Sequence, residues 1–289
     1  MTAIESGANV RPWIIFCEGF HDRDFLSGFF ARALEFESLE RDNKAPGFEW
    51  TRGAHGWRRG ANVVSIIPCE GESSDSPEAA NTRKAYRERV KSLPVKPAAG
   101  LVLCLDEDVG NDADDLPCDE ARQRARQRVA DIAREAASGE RFDPAQSILH
   151  VDGSGVHLLP VTWCTDVLVS THVPPRPNLE RLVVAACCEA YPERGRLVHE
   201  WLESRGDDRP AGLSARDKAY SWSHMAGWFP SPGGASFFRS LWNQYPTIKA
   251  ALLRRMAETG IDRLLDAMAV APPWKSVGRA DQIEKPLHH

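Results

Sequence analysis

The chain has 289 residues, enough for one large domain or two smaller ones. A hydrophobic share of 42% and a charged share of 27% are those of a globular protein, which excludes a disordered or fibrous chain. The net charge of −5 gives no bulk attraction to nucleic acid, so any such contact has to use a local basic patch.

Residues 13–17 (WIIFC) form a continuous apolar run and predict a buried strand. Phe25, Leu26, Phe29, Phe30 and Ala33 then recur at helical spacing and predict a helix over 21–34. Residues 35–60 look irregular and polar. Residues 62–67 (NVVSII) predict a second strand that stops at Pro68, and 77–93 a charged helix with Pro77 near its start. Residues 100–105 (GLVLCL) are apolar throughout, as in the middle of a parallel sheet. Residues 118–137 predict a further helix whose apolar face runs through Ala121, Ala125, Val129, Ile132 and Ala136. Residues 147–151 and 156–164 predict more strands, the latter weakened by Pro160. Strands alternating with helices predict an α/β domain with a mostly parallel sheet over 1–170.

The proline-rich THVPPRPN stretch marks a linker. Beyond it the strand signals stop. Residues 171–272 predict a helical C-terminal domain, and 273–289 a loose tail. The seven cysteines are odd in number and follow no zinc or disulfide spacing. With no signal-peptide pattern and no apolar run near the ~20 residues that span a bilayer, the expectation is a cytoplasmic protein without a membrane segment.

Two strands end in acids. WIIFC is followed by Glu18 and Asp22, and GLVLCL by Asp106 and Asp108. In one parallel sheet both strands end on the same edge, where α/β proteins bind ligands. Two like charges ~4 Å apart repel by roughly 4 kcal/mol at an effective dielectric of about 20, so gathered carboxylates call for a proton or a cation. Hard oxygen donors without a Cys/His set point to Mg²⁺ or Mn²⁺. In an extended segment Asp106 and Asp108 point to one side, and Glu107 to the other. The alternative for each acid is a helix cap or turn residue, for Asp22 above all. Asp166 also follows a strand and is a further candidate for the site. Asp112, Asp114 and Asp115 look like a solvated loop.

The pattern CEGFHD after the first strand, with LDEDVG after the third, resembles the TOPRIM domain. The resemblance covers roughly residues 11–168 and is nearest to the overcoming-lysogenization-defect (OLD-like) and small stand-alone members. It implies a Rossmann-like sheet, Mg²⁺ and phosphodiester chemistry on DNA or RNA. Glu18 then serves as general acid/base or metal ligand, Asp106 and Asp108 as metal ligands, and Asp22 as a further ligand. Lys218, in SARDKAYSW, carries over as a lysine for the scissile phosphate. The resemblance also implies a role in bacterial anti-phage defence beside an ATPase partner. This chain holds no GxxxxGK[ST] stretch of its own. The 35–61 segment lengthens the gap between the motifs relative to the family.

TRGAHGWRRG offers Arg52, Arg58 and Arg59 with Trp57 between them, cations and an aromatic suited to a nucleic-acid backbone and a stacked base. Two other readings compete. One is a non-catalytic regulatory or scaffold subunit that keeps the TOPRIM-like fold, which the mild acidity favours. The other is a haloacid-dehalogenase-type phosphatase built on LDEDVG, which leaves CEGFHD unexplained. The oligomeric state stays open, a homo-oligomer included.

Overall fold

The computed structural model describes residues 10–39, 44–69, 78–106, 117–137, 141–166, 178–204, 225–228 and 235–274. The chain divides into two compact units. The first holds residues 1–105 and 126–160, and the second 106–125 and 161–289. Residues 106–125 thus group with the helical part, although they lie well before residue 170.

The first unit is built on an eight-stranded sheet of order β2-β3-β4-β1-β5-β8-β7-β6. Its strands are β1 (Arg11–Cys17), β2 (Glu37–Ser38), β3 (His55–Arg59), β4 (Asn62–Pro68), β5 (Gly100–Leu105), β6 (Arg141–Asp143), β7 (Ile148–Val151) and β8 (Ser154–Thr162). At its centre β4, β1 and β5 are parallel, with Ile14 opposite both Ser65 and Leu101. These are the apolar runs of the sequence, and every residue of β5 is buried.

Outside this parallel centre, both flanks carry antiparallel pairs. β3 pairs antiparallel with β4, and β2 with β3. On the other side β6 pairs with β7, and β7 with β8. Chain length is the physical reason. β3 and β4 are joined by Gly60 and Ala61, and β7 and β8 by Asp152 and Gly153. A connection that short makes a hairpin, whereas a parallel pair needs a crossover. Asp152 and Gly153 both take positive φ, 47° and 80°, as a two-residue hairpin loop demands. Segment 35–60, expected to be irregular, supplies β2 and β3.

Three helices serve this sheet: α1 (Phe20–Arg32), α2 (Glu78–Lys91) and α3 (Cys118–Ala136), the last contributing from Arg126 onward. Ile14, Phe16, Leu101, Leu103 and Leu105 share one core cluster with Tyr86 and Val90 of α2 and with Val129 and Ile132 of α3. By the two-residue pleat, Trp13, Ile15 and Cys17 face the other side. There α1 is tied to β3: Ser27 Oγ lies 2.8 Å from His55 Nδ1 and accepts the Trp57 indole N–H at 3.3 Å.

The second unit contains α4 (Leu179–Ala190), α5 (Pro192–Ser204), α6 (Ala235–Gln244), α7 (Pro246–Met256), α8 (Ile261–Met268) and the start of α3. The Asn178 side chain caps α4 by accepting the Arg181 N–H at 2.9 Å. α4 is buried along most of its length, and α7 packs along it. Glu258, just past α7, holds segment 163–166. Its carboxylate accepts from Thr165 Oγ1 at 2.5 Å and from the Asp166 N–H at 3.1 Å. Among the described residues no helix is long and apolar enough to cross a membrane.

Candidate functional site

β1 occupies the middle of the parallel set, with β4 on one side and β5 on the other. The chain leaves β1 through α1 toward β4, crosses back through α2 to β5, and continues outward to the β6–β8 strands. Connections that part in this way leave a crevice at the carboxyl ends of the two strands between them. Those strands are β1 and β5, paired through Phe16 and Leu103.

Glu18 follows β1 directly and is half-buried. Gly19 is the N-cap of α1, and its N–H donates to Asp22 Oδ2 at 3.0 Å. A carboxylate at the third helical position that reaches back to the cap is a capping device, and the helix dipole favours its charge. Asp22 is itself buried, at 9% exposure. The two carboxylates also act on the buried Cys17 thiol. Burial raises that thiol well above its ordinary pKa, and the charge of Asp22 raises it further, with smaller contributions from Cys69 and Glu18. Cys17 is thus a neutral buried thiol and no nucleophile.

Asp106 follows β5, opens the second unit, and is buried at 8% exposure. Asp108 and Lys218 lie outside the described residues. The donor chemistry of Glu18, Asp22 and Asp106 is hard oxygen, as Mg²⁺ or Mn²⁺ requires. Among the described residues, however, no group of three or more His, Cys, Asp or Glu side chains is gathered as a metal set. Asp166 has other work: its Oδ1 accepts the Cys118 N–H at 3.1 Å, at the first turn of α3.

The basic segment is divided by the fold. Trp57 lies in β3 with 5% of its surface exposed and its indole bonded to Ser27, so its role is in the core. Arg58 and Arg59 flank the β3–β4 hairpin, opposite Val63 and Asn62 at the amino end of β4. Arg59 donates to Leu34 O at 2.7 Å. Along a strand rising about 3.3 Å per residue, that end of β4 is roughly 20 Å from Pro68 and the carboxyl edge. Arg58 and Arg59 therefore do not join Arg52 in one patch.

Arg52 stands at the carboxyl edge, in a turn closed by the Ala54 N–H to Thr51 O at 3.0 Å. Gly53 takes φ +81° there, and a Cβ on it would lie 2.9 Å from the Phe20 ring at the start of α1. Arg23 braces the same turn by donating to Gly53 O at 2.8 Å. Arg52 lines an open groove of about 570 Å³ with Thr51, Phe16, Pro68, Asn81 and Arg89. Thr51 and Asn81 drew no notice in the sequence, because small polar residues become informative only once the fold puts them in one wall.

One arrangement resembles a hydrolytic triad without being one. Ser27 Oγ and Asp24 Oδ1 both approach the same nitrogen of His55, Nδ1, at 2.8 and 4.0 Å. A relay needs serine and carboxylate on opposite ring nitrogens, and Ser27 is fully buried.

Over 90% of this chain and 99% of the other, the fold is similar to the crystal structure of a hypothetical protein from Pyrococcus horikoshii OT3, with a TM-score of 0.58 and 16% sequence identity. At that identity the likeness concerns the fold alone. No protein-family model matches the chain, and no curated protein matches it.

Proposed function

We propose that the chain is a divalent-cation-dependent nuclease of the TOPRIM type, hydrolysing phosphodiester bonds in DNA or RNA. The observation that carries the reading is the β1/β5 pair at the parting of the connections, each strand followed at once by an acid, Glu18 and Asp106. Carboxylates that follow two paired parallel strands are hard oxygen donors of the kind Mg²⁺ or Mn²⁺ takes.

Glu18 and Asp106, with Asp108, are the residues that would hold Mg²⁺ or Mn²⁺. Such an ion supplies charge neutralisation at a phosphate and a water of lowered pKa. Glu18 adds general acid/base function to the leaving or attacking oxygen. Asp22 orients the Gly19 turn, and so the backbone that carries Glu18. Lys218 is the proposed cation for the scissile phosphate. With no ATP-binding P-loop in the sequence, any ATP dependence of the activity has to come from a partner ATPase. A place in anti-phage defence is part of the same proposal and rests on the motif resemblance.

Incubation with Mg²⁺ or Mn²⁺ and plasmid DNA, single-stranded DNA or total RNA tests the reading. Cleavage by the wild-type chain that is lost in Glu18→Ala and in Asp106→Ala is the expected result. Cleavage that survives both substitutions, or no cleavage by the folded wild type, overturns it.

A further inference from the structure

Two cysteines of the second unit meet where segment 163–166 runs beside the start of α3. Cys118 and Cys164 form a small buried cluster with Ala121, and each cysteine is only 1% exposed. The Cys164 Sγ lies 3.9 Å from the Cys118 carbonyl oxygen, and the two thiols hydrogen-bond to each other. Both are free thiols. By contrast, Cys187 and Cys188 are consecutive on α4, where successive side chains do not face each other. A buried cysteine ordinarily acts as a small hydrophobe. Two thiols in contact with each other are a different arrangement, because their sulfurs need little movement to bond.

The surroundings hold this pair in place and make its members unequal. Asp166 Oδ1 accepts the Cys118 N–H at 3.1 Å, and the Glu258 carboxylate in turn fixes Thr165 and Asp166. The Glu258 backbone oxygen accepts from Cys164 Sγ at 3.3 Å and also from Arg122 Nη1. A guanidinium and a thiol on one oxygen put a positive charge beside Cys164, the setting in which a thiol becomes a nucleophile. The Cys118 thiol is the opposite case. Its hydrogen bond with Cys164, and then its burial, raise its pKa well above the ordinary value.

We infer that Cys118 and Cys164 are a modification site, which hydrogen peroxide closes to a reversible disulfide between the start of α3 and segment 163–166. In the first step the Cys164 sulfur attacks one peroxide oxygen. The O–O bond breaks, the leaving hydroxide takes the Cys164 proton and departs as water, and a sulfenic acid remains on Cys164. In the second step the Cys118 sulfur attacks the Cys164 sulfur. The S–O bond breaks, and the hydroxide leaves as a second water with the Cys118 proton. Two thiols are oxidised to one disulfide, and one peroxide is reduced to two waters. Helix ends open more readily than helix interiors, so the first turn of α3 is the way in for a molecule as small as peroxide. Burial makes the reaction slow, and the adjacent thiol stops it at the disulfide instead of at higher oxides. The inference does not depend on the nuclease reading.

Peptide mapping of the full chain tests this without relying on any variant. The folded wild type is treated with hydrogen peroxide, its remaining thiols are alkylated in denaturant, and the unreduced digest is read by mass spectrometry. A peptide linked through Cys118 and Cys164 is expected, absent before peroxide and lost again after dithiothreitol. The same treatment of the chain unfolded in urea is expected to give this link at less than about one tenth of the folded yield, since only the fold brings the two sulfurs together. Two variants then separate the roles. With Cys118→Ser the reaction halts at the sulfenic acid, and dimedone labels Cys164. With Cys164→Ser no dimedone adduct forms on Cys118. Full alkylation of both cysteines after peroxide, disulfides only between other cysteines, or equal yields of the link from folded and unfolded chain would overturn the inference. Dimedone on Cys118 in Cys164→Ser would overturn the assignment of Cys164 as the attacking thiol.

Discussion

Phe16 of β1 stands opposite Leu103 of β5 in a parallel pair, and the chain leaves these two strands in opposite directions along the sheet. That pair defines the edge on which the acids lie. Packing of the sheet's centre therefore bears on function as well as on stability.

Gly100 opens β5 directly against Trp13 of β1. A Cβ at Gly100 would stand 2.6 Å from the Trp13 ring atom Cε3 and 3.1 Å from the His157 carbonyl oxygen. Gly100→Ala is expected to lower stability by about 1–3 kcal/mol, the usual cost of overpacking a core. Urea denaturation measures it. An unchanged midpoint would show that Trp13 moves aside freely.

Arg89 is a buried cation with every bond inside the first unit. Beyond Glu49 it donates to Ser92 Oγ at 3.1 Å and to Lys96 O at 2.8 Å, joining α2 to the loop before β5 and to the segment before β3. Arg89→Met is expected to cost about 2 kcal/mol, as hydrogen bonds to charged groups do. Thermal denaturation reads it as a lower Tm. A loss no larger than that of an exposed arginine such as Arg124 would contradict the assignment.

Burial pushes the Cys69 thiol up to about 12, against a small lowering by the Thr82 hydroxyl, and pushes Cys188 up to about 12 as well. Both folded values lie above the ordinary 9.0. Below pH 9 each thiol keeps its proton in both states, and the contribution to stability is fully present. Between about 9 and 12 the unfolded chain releases protons that the folded chain retains, so stability falls as pH rises. Tm measured from pH 8 to 11 is expected to decline less steeply in a Cys69→Ala/Cys188→Ala variant than in the wild type. Parallel declines would show that these thiols titrate freely.

The centre of the sheet is legible in the sequence because β1 and β5 are buried on both faces and read as unbroken apolar runs. β3 is hidden because Gly56, Arg58 and Arg59 mask a strand in which Trp57 alone carries the inward pattern. Gly56 is there for a close approach: a Cβ on it would meet the Phe48 ring at 2.8 Å. The antiparallel turn between β7 and β8 is written plainly as Asp152-Gly153, a two-residue hairpin signal that outweighs a simple alternation of strands and helices. On the β7 side Pro160 is no obstacle, because β7 pairs with Ser154–His157 and makes no demand on the N–H of residue 160. At the site, the positions of Glu18, Asp22 and Asp106 after their strands follow from the apolar runs. The inward turn of Trp57 does not. Trp50 and Trp57 are equivalent in composition, and only the pairing of β3 with β4 turns Trp57 inward and leaves Trp50 in solvent.

The central proposal is that the acids following β1 and β5 bind a divalent cation. Titration of the folded chain with Mn²⁺, followed by the electron paramagnetic resonance signal of the free ion, tests it most directly. The account predicts saturable binding by the wild type, weakened about tenfold or more in Glu18→Gln and again in Asp106→Asn, with Mg²⁺ competing for the site. Mn²⁺ binding of equal strength in all three proteins, or none by the folded wild type, would contradict it.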